Sequence, residues 1–198
     1  MDGISLTDEP SRSAAFESVR LAKARGSLIS FDTNYRPSLW QSPAAALAEY
    51  NALIPQVDLL KVNEVELEML TNGGWSAAGG HLTIDEVVDE LLARGPSLVV
   101  VTLGRQGSYF RSAAGGEFVP GFQVATVDTV GCGDAFVASV LAQLLADGDW
   151  CSQLRVERLH AALRYANAVG ALTAAKQGAI PAMPTVAEVD GFLDRHTE

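Results

Sequence analysis

The sequence predicts an α/β protein built on a mostly parallel sheet with helices on both faces. Three observations carry that prediction. Short apolar runs at 27–31, 58–61 and 97–102 alternate with longer stretches of helical spacing, the order that builds strand–helix–strand units. The runs are continuously apolar rather than alternating, as expected of strands buried on both faces. Each is followed by compact polar residues or glycine: Asp32-Thr33-Asn34-Tyr35-Arg36, Lys61-Val62-Asn63 and Thr102-Leu103-Gly104. In open sheets of this kind, ligands sit beyond the carboxyl ends of the strands.

The elements follow in order. Residues 13–25 have helical spacing, and Gly26 is a plausible C-cap. Ser27-Leu28-Ile29-Ser30-Phe31 reads as a strand ending at Asp32. Pro43 opens a second helix, running to about Leu53, at a position where its missing N–H costs nothing. Residues 58–61 form the next strand and 64–70 a short helix stopped by Asn72-Gly73-Gly74; the Gly/Ala-rich stretch 72–80 reads as a loop. Thr83 and Glu86 are spaced as a capping box for a helix over 83–94. Ser97 to Thr102 is the clearest strand of the chain. Residues 108–112 and 117–119 read as a hairpin turning at Gly115-Gly116. Helices over 135–146, 156–175 and 185–193 complete the chain.

The 198 residues suit one domain over 1–198. Fourteen Lys+Arg against 24 Asp+Glu give a net charge of −10, which argues against a broad nucleic-acid surface. No apolar run reaches the roughly 18 residues a bilayer span requires. The acidic start lacks the pattern of a signal peptide, and Cys132 and Cys151 form no C-x-x-C, so a cytoplasmic setting with free thiols is expected. His81, His160 and His196 lack the spacing of a zinc site.

The segment carrying the most chemistry is Asp128-Thr129-Val130-Gly131-Cys132-Gly133-Asp134-Ala135-Phe136, which leads into a helix. Glycines at a helix start let backbone N–H groups converge where the helix dipole favours an anion. A carboxylate at Asp134 would lie beside such an anion. Either it has a task, such as taking a proton from an attacking hydroxyl, or it caps its helix for about 1 kcal/mol. No G-x-x-x-x-G-K-[ST] is present, so the loop is not a Walker loop.

This segment resembles the D-T-x-G-A-G-D-x-F signature of the PfkB/ribokinase family of carbohydrate kinases. Residues 31–40, Phe-Asp-Thr-Asn-Tyr-Arg-Pro-Ser-Leu-Trp, are similar to the D-x-N-x-R-x-x-L-W segment of its fructokinase and 2-keto-3-deoxygluconate kinase branch. Asn63 and Glu66 match N-x-x-E. Thr102, Gly104 and Gly107 fall on T-x-G-x-x-G, and 166–171 with Gly178-Ala179 resemble the nucleotide-side helix and loop.

The resemblance implies a ribokinase-like fold and transfer of the γ-phosphoryl group of ATP to a sugar's primary hydroxyl. Asp134 would be the general base and the amides of Gly131, Cys132 and Gly133 the anion hole. Arg36 would face the phosphoryl group or the sugar; without the resemblance it reads as a surface arginine. Asn63 and Glu66 would organise Mg²⁺ through water, their i, i+3 spacing putting both on one helix face. Thr102, Gly104, Gly107 and Asn167 would line ATP, and Asp128 resembles a monovalent-cation site for K⁺ that some members use.

The family's N-terminal portion, with its first strands, its lid and much of its sugar seat, has no counterpart here. The match starts with Ile4-Ser5-Leu6 at a strand end, so the chain reads as the family's carboxyl two-thirds. The alternatives to a fructokinase-like activity are an inactive nucleotide-binding fragment and a 2-keto-3-deoxygluconate kinase. A homodimer across an exposed sheet edge is the one protein partner this reading admits.

Overall fold

A computed structural model describes residues 1–196. The strands are β1 (Ser30–Asp32), β2 (Leu59–Asn63), β3 (Leu98–Thr102), β4 (Gly107–Ser112) and β5 (Gly115–Pro120). The helices are α1 (Ser11–Lys23), α2 (Pro43–Leu53), α3 (Glu64–Leu70), α4 (Ile84–Leu92), α5 (Cys132–Leu145), α6 (Val156–Ala174) and α7 (Val186–Asp194). Strands hydrogen-bond in the order β1-β2-β3-β4-β5. β1 lies parallel to β2 with Ser30 opposite Leu59, and β2 parallel to β3 with Leu59 opposite Leu98. Only two residues join β4 to β5, a link that permits antiparallel pairing alone. The sheet is mostly parallel, as the apolar runs imply.

The chain divides into two compact units, Met1–Thr102 with Phe110–Gly116, and Leu103–Tyr109 with the chain from Glu117 onward. In the first, every residue of β3 from Leu98 to Val101 is buried, as are Phe31, Leu59, Leu60 and Val62. Tyr50 of α2 is fully buried, its ring edge-on to Phe31 with centroids 5.6 Å apart, and it donates its hydroxyl to the Thr33 carbonyl at 2.9 Å. Capping boxes start α3 (Asn63 with Glu66) and α4 (Thr83 with Glu86).

In the second unit, Ala135 of α5, Ala168 and Val169 of α6, and Val189 and Phe192 of α7 form one apolar cluster. The small Ala135 and Ala168 let α5 and α6 pack closely. A third capping box, Thr185 with Glu188, starts α7. Ser108 of β4 is buried with no hydrogen-bond partner for its hydroxyl among the described residues.

Four details differ from expectation, the first being that β1 starts at Ser30 rather than Ser27. Ile4-Ser5-Leu6 is not a strand end: Gly3–Leu6 is a 3-10 turn, because the Asp2 side chain accepts the Ser5 N–H and caps it. The sheet is instead extended by Met1 and Asp2, where Asp2 bridges to Asp32 and Met1 O accepts the Asp32 N–H at 3.1 Å. Gly115 and Gly116 lie inside β5, and the hairpin turns at Ala113-Ala114. Finally, α5 starts at Cys132 rather than Ala135, which places Asp134 inside the helix's first turn.

Glu188 accepts the Thr185 N–H at 2.7 Å and pairs with Lys176 at 2.9 Å. The Thr185 backbone bond is the largest of the influences that lower its carboxyl to about 2. A carboxyl lowered on folding adds stability above its unfolded value of 4.5 and loses it as the pH falls through the folded one. Carboxyl NMR is expected to give Glu188 a midpoint near 2, with the Thr185 amide moving in step. A midpoint at the unfolded value would contradict the box.

Candidate active-site elements

The first unit gathers its polar candidates where β1 and β2 end. Asp32 stands opposite Lys61 in register, and Lys61 Nζ lies 3.1 Å from both carboxylate oxygens. Both side chains are buried. Burial pushes the Asp32 carboxyl upward; the Lys61 charge opposes that shift and the Glu66 charge adds to it. Asp32 Oδ1 also accepts the Asn34 N–H at 3.1 Å.

The capping box of α3 uses the expected metal pair. Asn63 Oδ1 accepts the Glu66 N–H at 3.0 Å, and Glu66 Oε2 accepts the Asn63 N–H at 2.7 Å. The other oxygen of Glu66, Oε1, accepts the Tyr35 N–H at 2.7 Å. Glu66 is only 1% exposed, whereas Asn63 is half-buried. Among the described residues no group of three or more His, Cys, Asp or Glu could hold a metal. With both oxygens already accepting backbone N–H groups, Glu66 does not fit direct coordination of Mg²⁺. Arg36 follows Tyr35 and is exposed, in extended backbone that enters the 3-10 turn Pro37–Leu39. Thr102 ends β3 opposite Asn63, its hydroxyl 3.4 Å from the Val62 carbonyl.

The second unit holds the glycine loop. Gly131 is the N-cap of α5 at φ 80°, a conformation that favours glycine, and a Cβ there would meet the Ala179 Cβ at 2.8 Å. Cys132 donates its N–H to the Thr129 carbonyl at 3.3 Å, while the N–H groups of Gly131 and Gly133 have no backbone acceptor among the described residues. Asp134 is exposed in the first turn of α5, whose N-cap, Gly131, has no side chain to cap it. An acidic side chain in this first turn is favoured by the positive end of the helix dipole whether or not it has a further task.

Asp128 ties this loop to another. Its Oδ1 accepts the Val130 N–H at 3.0 Å and its Oδ2 the Gly178 N–H at 2.9 Å, and these bonds hold its carboxyl low. The Cys132 thiol is partly buried and is pushed up, first by burial and then by the Asp128 charge. Such a shift disfavours the reactive thiolate.

The remaining nucleotide candidates divide by what they touch. At Gly107 φ is 118°, and a Cβ would meet the Val119 carbonyl at 2.1 Å; the hairpin itself demands this glycine. Gly104 has nothing within 4 Å of a built Cβ. Asn167 is buried on α6, donating to the carbonyls of Val119 at 3.1 Å and Pro120 at 3.2 Å, so its amide fastens α6 to the end of β5. Lys61 stands among the strand-end polar residues of the sequence, but its pairing with Asp32 has no signature there. What the sequence does show is a cation inside the apolar run Leu59-Leu60-Lys61-Val62.

A pfkB family carbohydrate kinase profile matches residues 1–186. The chain belongs to the pfkB family of carbohydrate kinases. It is 40% identical over 196 residues to a probable fructokinase-2 of Arabidopsis thaliana, covering 98% of this chain and 56% of that protein. It is also 40% identical to the putative fructokinase-8 of the same plant, covering 98% of this chain and 89% of that one. A crystal structure of a fructokinase double mutant from Vibrio cholerae O395, bound to fructose, ADP and potassium, superimposes with a TM-score of 0.85 at 32% identity, covering 97% of this chain and 58% of that one. The fold is thus the ribokinase-like one the motifs implied. The chain spans just over half the length of most of these relatives, a smaller share than the two-thirds expected. No described helix is long and apolar enough to cross a membrane.

The buried ion pair generates a direct expectation for this pfkB chain. Lys61→Met leaves the Asp32 charge buried without its partner, which costs about 3–5 kcal/mol. Urea denaturation measures this, and a loss below about 1 kcal/mol would contradict the assignment of Lys61 as the counter-ion.

Proposed function

We propose that this chain carries the phosphoryl-transfer machinery of an ATP-dependent sugar kinase, with fructose as the first substrate to try. The observation that carries the reading is Asp134, an exposed carboxylate in the first turn of α5 beside glycine amides whose N–H groups have no backbone acceptor among the described residues. Asp134 takes the proton from the sugar's primary hydroxyl. That oxygen then forms a bond to the γ-phosphorus as the bond to the β,γ-bridging oxygen breaks, giving a sugar phosphate and ADP. Donors aimed at developing charge contribute about 3 kcal/mol each; Gly131 and Gly133 supply them directly, while Cys132 must loosen its 3.3 Å bond to Thr129 to join.

Arg36 is the cation for the phosphoryl group or the sugar. Mg²⁺, carried on ATP, supplies charge neutralisation when bound, with Asn63 meeting its water shell and Glu66 holding Asn63 in place. Thr102, Gly104, Gly107 and Asn167 form the nucleotide side, where Gly104 offers open backbone and Gly107 and Asn167 keep the hairpin in shape. K⁺ beside Asp128 is supported by the potassium-bound relative. A cytoplasmic setting suits the two free cysteines.

One observation favours a second reading, an inactive nucleotide-binding fragment: the chain spans just over half of most relatives. Incubation with MgATP and a panel of fructose, 2-keto-3-deoxygluconate, ribose and nucleosides separates the two. ADP release with fructose supports the kinase, and ATP binding by calorimetry without ADP supports the fragment. In an active chain, Asp134→Asn is expected to lower turnover about 10²–10⁴-fold with ATP binding retained. Turnover close to wild type would remove Asp134 as the base.

A further inference from the structure

A segment leaving a strand normally gives its N–H groups to water. Residues 33–35 do not. The Thr33 N–H donates to the Lys61 carbonyl at 3.2 Å, and the Thr33 carbonyl accepts the Tyr50 hydroxyl at 2.9 Å. The Asn34 N–H goes to Asp32 Oδ1 at 3.1 Å and the Tyr35 N–H to Glu66 Oε1 at 2.7 Å. Asn34 is thereby held at φ 38°, a left-handed conformation that most side chains avoid. Three consecutive amides are fixed, two of them by carboxylates that are themselves buried. The next residue is Arg36, whose side chain is exposed.

We infer that Glu66 is a positioning residue: with the Lys61–Asp32 pair it forms a rigid clamp on residues 33–35 that presents Arg36, and it is not a metal ligand. Both of its oxygens accept backbone N–H groups, and its burial keeps it from water. Charge-assisted bonds of this kind are about twice as strong as neutral ones. A long, flexible arginine is thus launched from a backbone that has little freedom left, so less ordering entropy is lost when its guanidinium engages an anion. Lys61 keeps Asp32 in place at the neighbouring anchor.

The presentation of Arg36 to the transferring group rests on the kinase reading above; the clamp does not. Amide hydrogen exchange on Glu66→Gln tests the clamp alone. The Tyr35 amide is expected to exchange about tenfold faster or more, while amides of β3 keep their wild-type rates. Unchanged Tyr35 exchange overturns the clamp. If Glu66→Gln does not fold, Glu66→Asp, one methylene short of Tyr35, gives the same readout.

Two kinetic measurements test what the clamp is for. Glu66→Gln is expected to lower kcat about 10–100-fold with the Mg²⁺ requirement unchanged, and to cost nothing further in an Arg36→Ala background. Additive losses, or a Mg²⁺ requirement raised tenfold, would overturn the positioning role. An active wild-type chain insensitive to Arg36→Ala would instead sink the assignment of Arg36 in the kinase reading and leave the exchange result to decide the clamp.

Discussion

A backbone N–H taken out of water must find an acceptor, and this constraint shapes both units of the protein. In regular elements the acceptors come from the ladder itself. At the ends of strands and helices they must come from elsewhere, and here they come largely from side chains distant in sequence. Asp58 accepts the Ile29 N–H at 2.7 Å just before β1 begins. Glu66 and Asp32 hold the segment after β1, and Asp128 joins the loop before α5 to Gly178. Asn167 donates in the opposite sense, to two carbonyls at the end of β5. Apart from the local Asp32–Asn34 bond, each reaches across dozens of residues, so these loops are placed by the fold rather than by local preference.

Against that background, unspent groups become informative. Among the described residues the amides of Gly131 and Gly133 have no backbone acceptor and α5 has no side-chain cap at Gly131, although the helix they begin is well packed, with Ala135 and Phe136 buried directly behind them. Stability alone would favour a capping serine or threonine at the start of α5. A left-handed glycine in that place gives up the cap and leaves donors and an acid exposed side by side. Sites that break a local rule in an otherwise consistent fold are where function is expected.

The sequence made the architecture legible because its apolar runs are short and continuous and its helices are marked by three capping boxes, of which Thr83–Glu86 was visible from spacing alone. The motif residues were equally legible, since Gly131, Asp134, Asn63 and Glu66 stand at fixed separations. What spacing could not convey was which atoms are already in use. Asn63 is not on the helix face that the spacing implies: it ends β2 in extended backbone and caps α3, where a capping box joins it to Glu66, and the second oxygen of Glu66 is claimed by Tyr35, a backbone donor with no signature. The pairing of Lys61 was hidden because a cation in an apolar strand announces a partner without naming it. Gly107 illustrates the converse: it sits on a nucleotide motif, yet the close approach of Val119 and Gly121 already requires a glycine there.

On the proposed reading, the start of α5 is an anion site made of backbone amides beside a carboxylate. The most direct test of that reading is a ¹⁵N–¹H correlation spectrum of the intact chain titrated with MgATP. The Gly131 and Gly133 amide resonances should move saturably and downfield, as donors to phosphate do. If calorimetry shows ATP bound while both resonances stay in place, the site assigned to the start of α5 is wrong.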